Sequence, residues 1–225
     1  MTLGKGSVRS VAFSVGIAVG IYGISFGALS VTAGLDIWQT IALSVLMFSG
    51  GSQFAFVAVF ATGGVAALPA AITSAWLVGI RNGFYALSLA PTIGPKGLVK
   101  VFAAQLTIDE STAVSTSRSS KAEQKSGFWL TGLSVFVFWN LATVLGALLG
   151  SGLSDPKVYG LDAAAAAALF ALVWPRIQNQ TGAVIAAVAV FASTAISTIL
   201  PSGFPVLVAS LFAVATGFWL ERKKS

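Results

Sequence analysis

The sequence predicts an all-α protein, a polytopic bundle of membrane-embedded helices forming one transmembrane domain over residues 1–225. Three observations carry that reading. Only 9% of the residues are charged while 56% are hydrophobic, against about 25% charged in soluble domains. The apolar residues fall in blocks of about 20, the length that crosses a hydrocarbon core as a helix. No polar stretch is long enough to be a second domain. The net charge of +6 fits basic loops on the cytoplasmic side of a membrane rather than nucleic-acid binding.

The apolar runs place spans at Val11–Val31, Ile37–Ala61, Val65–Leu89, Phe128–Leu149, Val158–Val173, Ala183–Leu200 and Val206–Leu220, with a weaker segment at Leu98–Ser117. The run after Lys5 and Arg9 is too long for the apolar core of a signal peptide, so it is expected to remain as a span. Charge placement bears on the weak segment. If all eight cross from a cytoplasmic N-terminus, nine basic residues lie inside: Lys5, Arg9, Arg118, Lys121, Lys125, Arg176, Arg222, Lys223 and Lys224. Three lie outside, Lys96, Lys100 and Lys157, which favours about eight crossings with both termini cytoplasmic. The alternative has seven, with 98–117 re-entrant.

Gly16, Gly20, Gly23 and Gly27 share one helical face in the first span. Such a stripe lets another helix approach closely; a substrate lying against it is the alternative. In the second span, Phe48-Ser49-Gly50-Gly51-Ser52-Gln53-Phe54 predicts a helix broken near 49–53. Paired glycines are poor helix interior, and the freed amides of the following half-helix would attract a carboxylate. A kink with its polar groups bonded to neighbouring helices is the other reading. A second discontinuity is expected near 79–83, where Arg81 and Asn82 lie between Gly79 and Gly83. An arginine inside a span faces a bundle interior or cavity, or snorkels to the headgroups. It can bind a carboxylate, from a substrate or from Asp109 or Glu110. Those two acids, in LTIDES, are the only charges between Lys100 and Arg118. Read as a helix, Asp109 neighbours Gln105 and Thr112. The acids can carry a proton or meet an ammonium, pair with Arg81, or lie outside the membrane. Trp139-Asn140 sits mid-span, and Asn140 needs a partner there. Asp162 reads as a helix cap, and Trp174-Pro175-Arg176 as an interfacial stop.

With neither histidine nor cysteine in the chain, Ser–His and Cys–His catalysis is excluded, no disulfide is possible and no metal site is expected. No nucleophile–base pair is visible, so no enzyme activity, catalytic residue or cofactor is expected. Any proton relay must use carboxylates.

FSGGSQFAF, then a span ending in RNGFYALSLAP, then LTIDES, with Gly160–Phe170 reading GLDAA…ALF, resembles the AzlC family, the large subunits of bacterial branched-chain amino acid exporters. The usual pattern is similar to FAGSAQF, NLRHxLYGLSLAP and LTDE. The resemblance implies a permease of the bacterial cytoplasmic (inner) membrane, working with a small AzlD-like membrane subunit. It implies export of valine, isoleucine, leucine and sometimes methionine, driven by protons. Ser49, Gly51, Gln53, Arg81, Asp109 and Glu110 fall on the family motifs. Asn82 stands where relatives usually have histidine, and Ser49-Gly50 where they usually have Ala-Gly.

The substrate-binding expectation is therefore Ser49, Gly50, Gly51, Ser52, Gln53, Arg81 and Asn82, with Asp109 and Glu110 for the ammonium or a proton, and Phe54, Phe56 and Phe84 against an apolar side chain. A passive channel for a small solute and a non-transporting scaffold subunit are the competing classes.

Overall fold

The computed structural model describes residues 7–94, 96–152, 177–200 and 204–222, together with Phe170 and Trp174. The expected span Val158–Val173, Asp162 and Pro175-Arg176 lie outside the described residues, apart from Phe170. Every regular element described is helical. In chain order these are α1 (Val8–Gly20), α2 (Tyr22–Thr32), α3 (Ile37–Leu46), α4 (Gly50–Gly63), a 3₁₀ turn (Gly64–Ala67), α5 (Leu68–Ile93), α6 (Val99–Gln105), α7 (Asp109–Thr116), α8 (Lys121–Ser151), α9 (Gln180–Ile196) and α10 (Phe204–Arg222). Among the described residues, Val8–Thr32, Gly50–Ile93 and Lys121–Ser151 are long and apolar enough to cross a membrane. Ile37–Leu46, Gln180–Ile196 and Leu207–Leu220 are shorter apolar helices. The predicted helical membrane bundle is what forms.

The glycine stripe is a helix contact. Gly16 meets Ser134, Gly20 meets Phe138, Gly23 meets the Trp139 carbonyl and Gly27 the Thr143 carbonyl. From the other side, Gly146 receives Ile24 and Gly150 receives Ala28 and Val31. The stripe is filled by α8, which leaves no bare face for a substrate. The two sets of numbers rise together, so α1–α2 and α8 are parallel.

The other directions follow from the same kind of register. Ser44 meets Thr143 and Phe48 meets Phe136, so α3 descends α8. α4 returns: it lies antiparallel to α5, with Gly51 opposite Val78 and Arg81 and Gly79 opposite Ser52. The reversal into α5 is made at Gly64, whose φ of 56° is one that L side chains rarely adopt. α5 itself descends α8, since Arg81 shares a cavity with Trp139 and Ile93 shares one with Phe128. α6 climbs from Phe128, beside Lys100 and Ala103, to Leu106 against Gly132. α7 descends again, with Val114 opposite Gly127 and Ser115 bonded to the Gln124 carbonyl.

Segment 98–117 takes the re-entrant course given above as the alternative, and segment 37–61, expected to cross, is corrected to the same kind of course: each enters from one end of the bundle, breaks at half depth and returns to that end. α6 and α7, with 7 and 8 residues, are each about 10–12 Å long, far short of a ~30 Å core. This puts Lys96 and Lys100 at the same end as Arg9, Arg118, Lys121 and Lys125, so the basic residues are more one-sided than eight crossings would make them. The discontinuity expected at 79–83 is also absent: α5 is one helix of 26 residues. Gly79 does not break it. Its bare face lets Ser52 approach, where an added methyl would lie 3.1 Å from the Ser52 Oγ.

Candidate functional site

The chain breaks twice at half depth, and each break is held by a buried polar side chain. At Met47–Ser49 the end of α3 leaves carbonyls without helical partners. Gln53, fully buried, donates from Nε2 to the carbonyls of Ser44 (3.2 Å) and Met47 (2.8 Å). Its Oε1 accepts from Trp139 Nε1 at 2.9 Å. At Leu106–Ile108, the Ser111 hydroxyl donates to the Leu106 carbonyl at 2.6 Å and accepts from the Ile108 N–H at 3.1 Å. Gln53 is thus part of the brace and does not line the site. Gln53→Leu strands carbonyls in a dry interior, and a loss of about 1–3 kcal/mol is expected, read as a lower melting temperature in detergent.

What the breaks create is a pair of helix N-termini aimed at one cavity of about 430 Å³. Ser49 caps α4 in extended conformation, its hydroxyl accepting from Ser52 Oγ at 3.2 Å rather than from a helix amide. The first amides of α4 therefore have no intrahelical acceptor and carry the positive end of the helix dipole. Asp109 and Glu110 open α7, where carboxylates are favoured for the same reason.

Charge is concentrated between these termini. Arg81 Nη2 lies 2.7 Å from Asp109 Oδ2, and the Tyr85 hydroxyl donates to Asp109 Oδ1 at 2.8 Å. The guanidinium lies over the start of α4: a methyl on Gly51 would sit 2.8 Å from Nη2. Gly51→Ala is accordingly expected to push Arg81 off the helix end. It should weaken ligand binding about tenfold, the effect of losing one charge-assisted hydrogen bond, while a thermal melt of the variant changes little. Glu110 lines the same cavity. The remaining wall is mostly apolar, Val19, Phe48, Phe54, Ile108, Val135 and Trp139, with Tyr22 and Ser25 beside them. Trp139 stacks on Phe26 and meets Phe54 edge-on.

The structure therefore brings Ser49, Gly50, Gly51, Arg81, Asp109 and Glu110 around one cavity. Ser52 and Asn82 line a separate hollow on the other side of the break, beside Gly79 and Gln105. Gln105 is not stacked under Asp109 as one helix would have it, because the chain breaks between them; it donates to the Val45 carbonyl. Of the aromatic residues expected near a ligand, only Phe54 is there. Phe56 stacks on Phe60 in the core, and Phe84 is 66% exposed on the outer face of α5. Sequence reading passed over Tyr85, Ser111, Val135 and the role of Trp139. The one legible signal was Trp139 itself, since tryptophan in a span normally sits at an interface. Asn140 finds the Phe136 carbonyl one turn back.

The arrangement sets cation and freed amides against carboxylates across an apolar chamber, which suits a small zwitterion with an apolar side chain. In comparison with known proteins, the family model described as AzlC protein matches residues 14–153. No curated protein and no solved structure matches the chain.

Proposed function

Because this chain belongs to the AzlC family, a family of branched-chain amino acid transport subunits, we propose that it is the large subunit of a two-component permease that exports branched-chain or other small apolar amino acids, coupled to protons. The observation that carries the reading is the half-depth cavity holding the α4 N-terminus, Arg81, Asp109 and Glu110 within an apolar wall. The substrate carboxylate is held by the amides of Gly50 and Gly51 and by Arg81, and its ammonium faces the acids. Val135, Phe54 and Trp139 take the aliphatic side chain. With no histidine in the chain, proton movement falls to the carboxylates.

A small AzlD-like membrane subunit is the proposed partner, as the family membership implies. The proposed location is the bacterial cytoplasmic membrane with both termini inside. It rests on the clustering of Arg9, Lys96, Lys100, Arg118, Lys121 and Lys125 at the end of the bundle where α1 begins.

The test is efflux of leucine from cells loaded with a leucine dipeptide and expressing the chain with its partner. Asp109→Asn and Glu110→Gln are each expected to slow efflux about tenfold or more, the scale of one charged group's contribution, and to flatten its pH dependence. If both variants export as the parent does at every pH, the proton role is wrong.

A further inference from the structure

The acids are not equivalent. Asp109 is held at both oxygens, by Arg81 at 2.7 Å and by Tyr85 at 2.8 Å, whereas the Glu110 carboxylate, in the same cavity, has no such partner among the described residues. The guanidinium that Asp109 occupies is the one lying over the α4 N-terminus. A carboxylate of the chain thus sits on the cation that a substrate carboxylate needs.

Resting on the transport reading above, we propose that Asp109 is a built-in stand-in for the substrate carboxylate: a latch that Tyr85 positions, that a zwitterion releases by exchange, and that leaves Glu110 to meet the ammonium. The exchange conserves charge. The substrate carboxylate takes Arg81, the freed Asp109 joins Glu110 beside the ammonium, and every charge in the cavity keeps an opposite neighbour. A ligand with a carboxylate and no ammonium cannot do this, because it brings no cation for the released Asp109. An amine without a carboxylate leaves the latch closed. The latch therefore selects for ligands that carry both charges, and it closes Arg81 again when substrate departs.

Neutralising Asp109 should relax that requirement. The parent and variant proteins, purified with their partner in nanodiscs, are titrated with leucine, with 4-methylpentanoate (leucine without its amine) and with 3-methylbutylamine (leucine without its carboxylate). The parent is expected to bind leucine and neither analogue. Asp109→Asn is expected to bind leucine as tightly or more tightly and to gain 4-methylpentanoate binding by about tenfold or more, the effect of one charge-assisted bond. Leucine efflux by this variant falls nonetheless, because the latch no longer closes. Tyr85→Phe, a gentler change that keeps the ion pair, should show the same relaxation to a smaller extent, and it carries the test if Asp109→Asn does not fold. Glu110→Gln should weaken leucine binding without admitting 4-methylpentanoate.

If Asp109→Asn and Tyr85→Phe bind leucine but reject 4-methylpentanoate as the parent does, the latch is wrong and the transport reading stands. A parent protein that binds no amino acid overturns the transport reading, and the latch with it.

Discussion

Replacing Arg81 by alanine is expected to bring leucine efflux down to the level of cells lacking the chain. In the proposed transport reading Arg81 has two duties in one cavity. It neutralises Asp109 at 2.7 Å, and it presents a guanidinium beside the α4 N-terminus for an incoming carboxylate. Removing it deletes the principal cation of the site and leaves Asp109 and Glu110 as adjacent like charges. A bond to a charged group contributes about 1.5–3 kcal/mol, so loss of the carboxylate contact alone weakens binding by about one to two orders of magnitude. Breaking a buried pair typically costs about 3–5 kcal/mol. Here Arg81 and Asp109 side chains are 23% and 41% exposed, so the stability loss is expected to be smaller, about 1–2 kcal/mol after screening. Efflux and thermal melting should therefore separate: transport abolished, fold retained. Arg81→Lys restores the charge without the planar fork and should recover a minor part of the flux.

The second large effect is expected on folding. Gly27→Val should leave little folded protein in the membrane. A single methyl at Gly27 already overlaps the Thr143 carbonyl and the amide of Ala147, and these are backbone atoms that no rotamer change can move. The contact must open along its length, separating the first span from α8 and taking Phe26 off Trp139. Overpacking in a tight core typically costs about 1–3 kcal/mol, and a backbone-to-backbone contact lies at the upper end or beyond. Most proteins are stable by only about 5–15 kcal/mol. The readout is the yield of monodisperse protein in mild detergent. Gly83→Val, at a glycine with open space around it, serves as the control and should purify as the parent does.

Much of the site could be read from residue chemistry. Gly50-Gly51 flanked by serines pointed to a helix break or a kink, and one arginine among apolar neighbours to a carboxylate partner or a reach to the headgroups. Only Asp109 and Glu110 were available nearby in sequence. The course of the chain was harder to read. Hydropathy counts apolar residues and carries no direction, so Ile37–Ala61 looked like a crossing although it turns back at Met47–Ser49. The charge count was misled in the same way: with Lys96 and Lys100 placed outside, eight crossings looked adequate. Small residues were ambiguous for a physical reason. A glycine can end a helix or admit a neighbour, and Gly50 and Gly79 do one each. Gln53 looked like a ligand group because its amide was in the motif; its carbonyl partners arise only once the helix has broken.

The central claim is that a zwitterion sits between the two half-helix N-termini, at half depth, among Arg81, Asp109 and Glu110. The chain contains no cysteine, so one introduced thiol is an unambiguous reporter. Ser25 lines the cavity without belonging to the charged set, whereas Phe84 lies on the outer face of α5. The decisive measurement is the rate at which a small thiol reagent labels Ser25→Cys in the assembled permease, with and without saturating leucine, against Phe84→Cys as reference. Leucine is expected to slow labelling at Ser25→Cys and to leave Phe84→Cys unchanged. Equal labelling of Ser25→Cys with and without leucine, in protein shown to bind leucine, would contradict it.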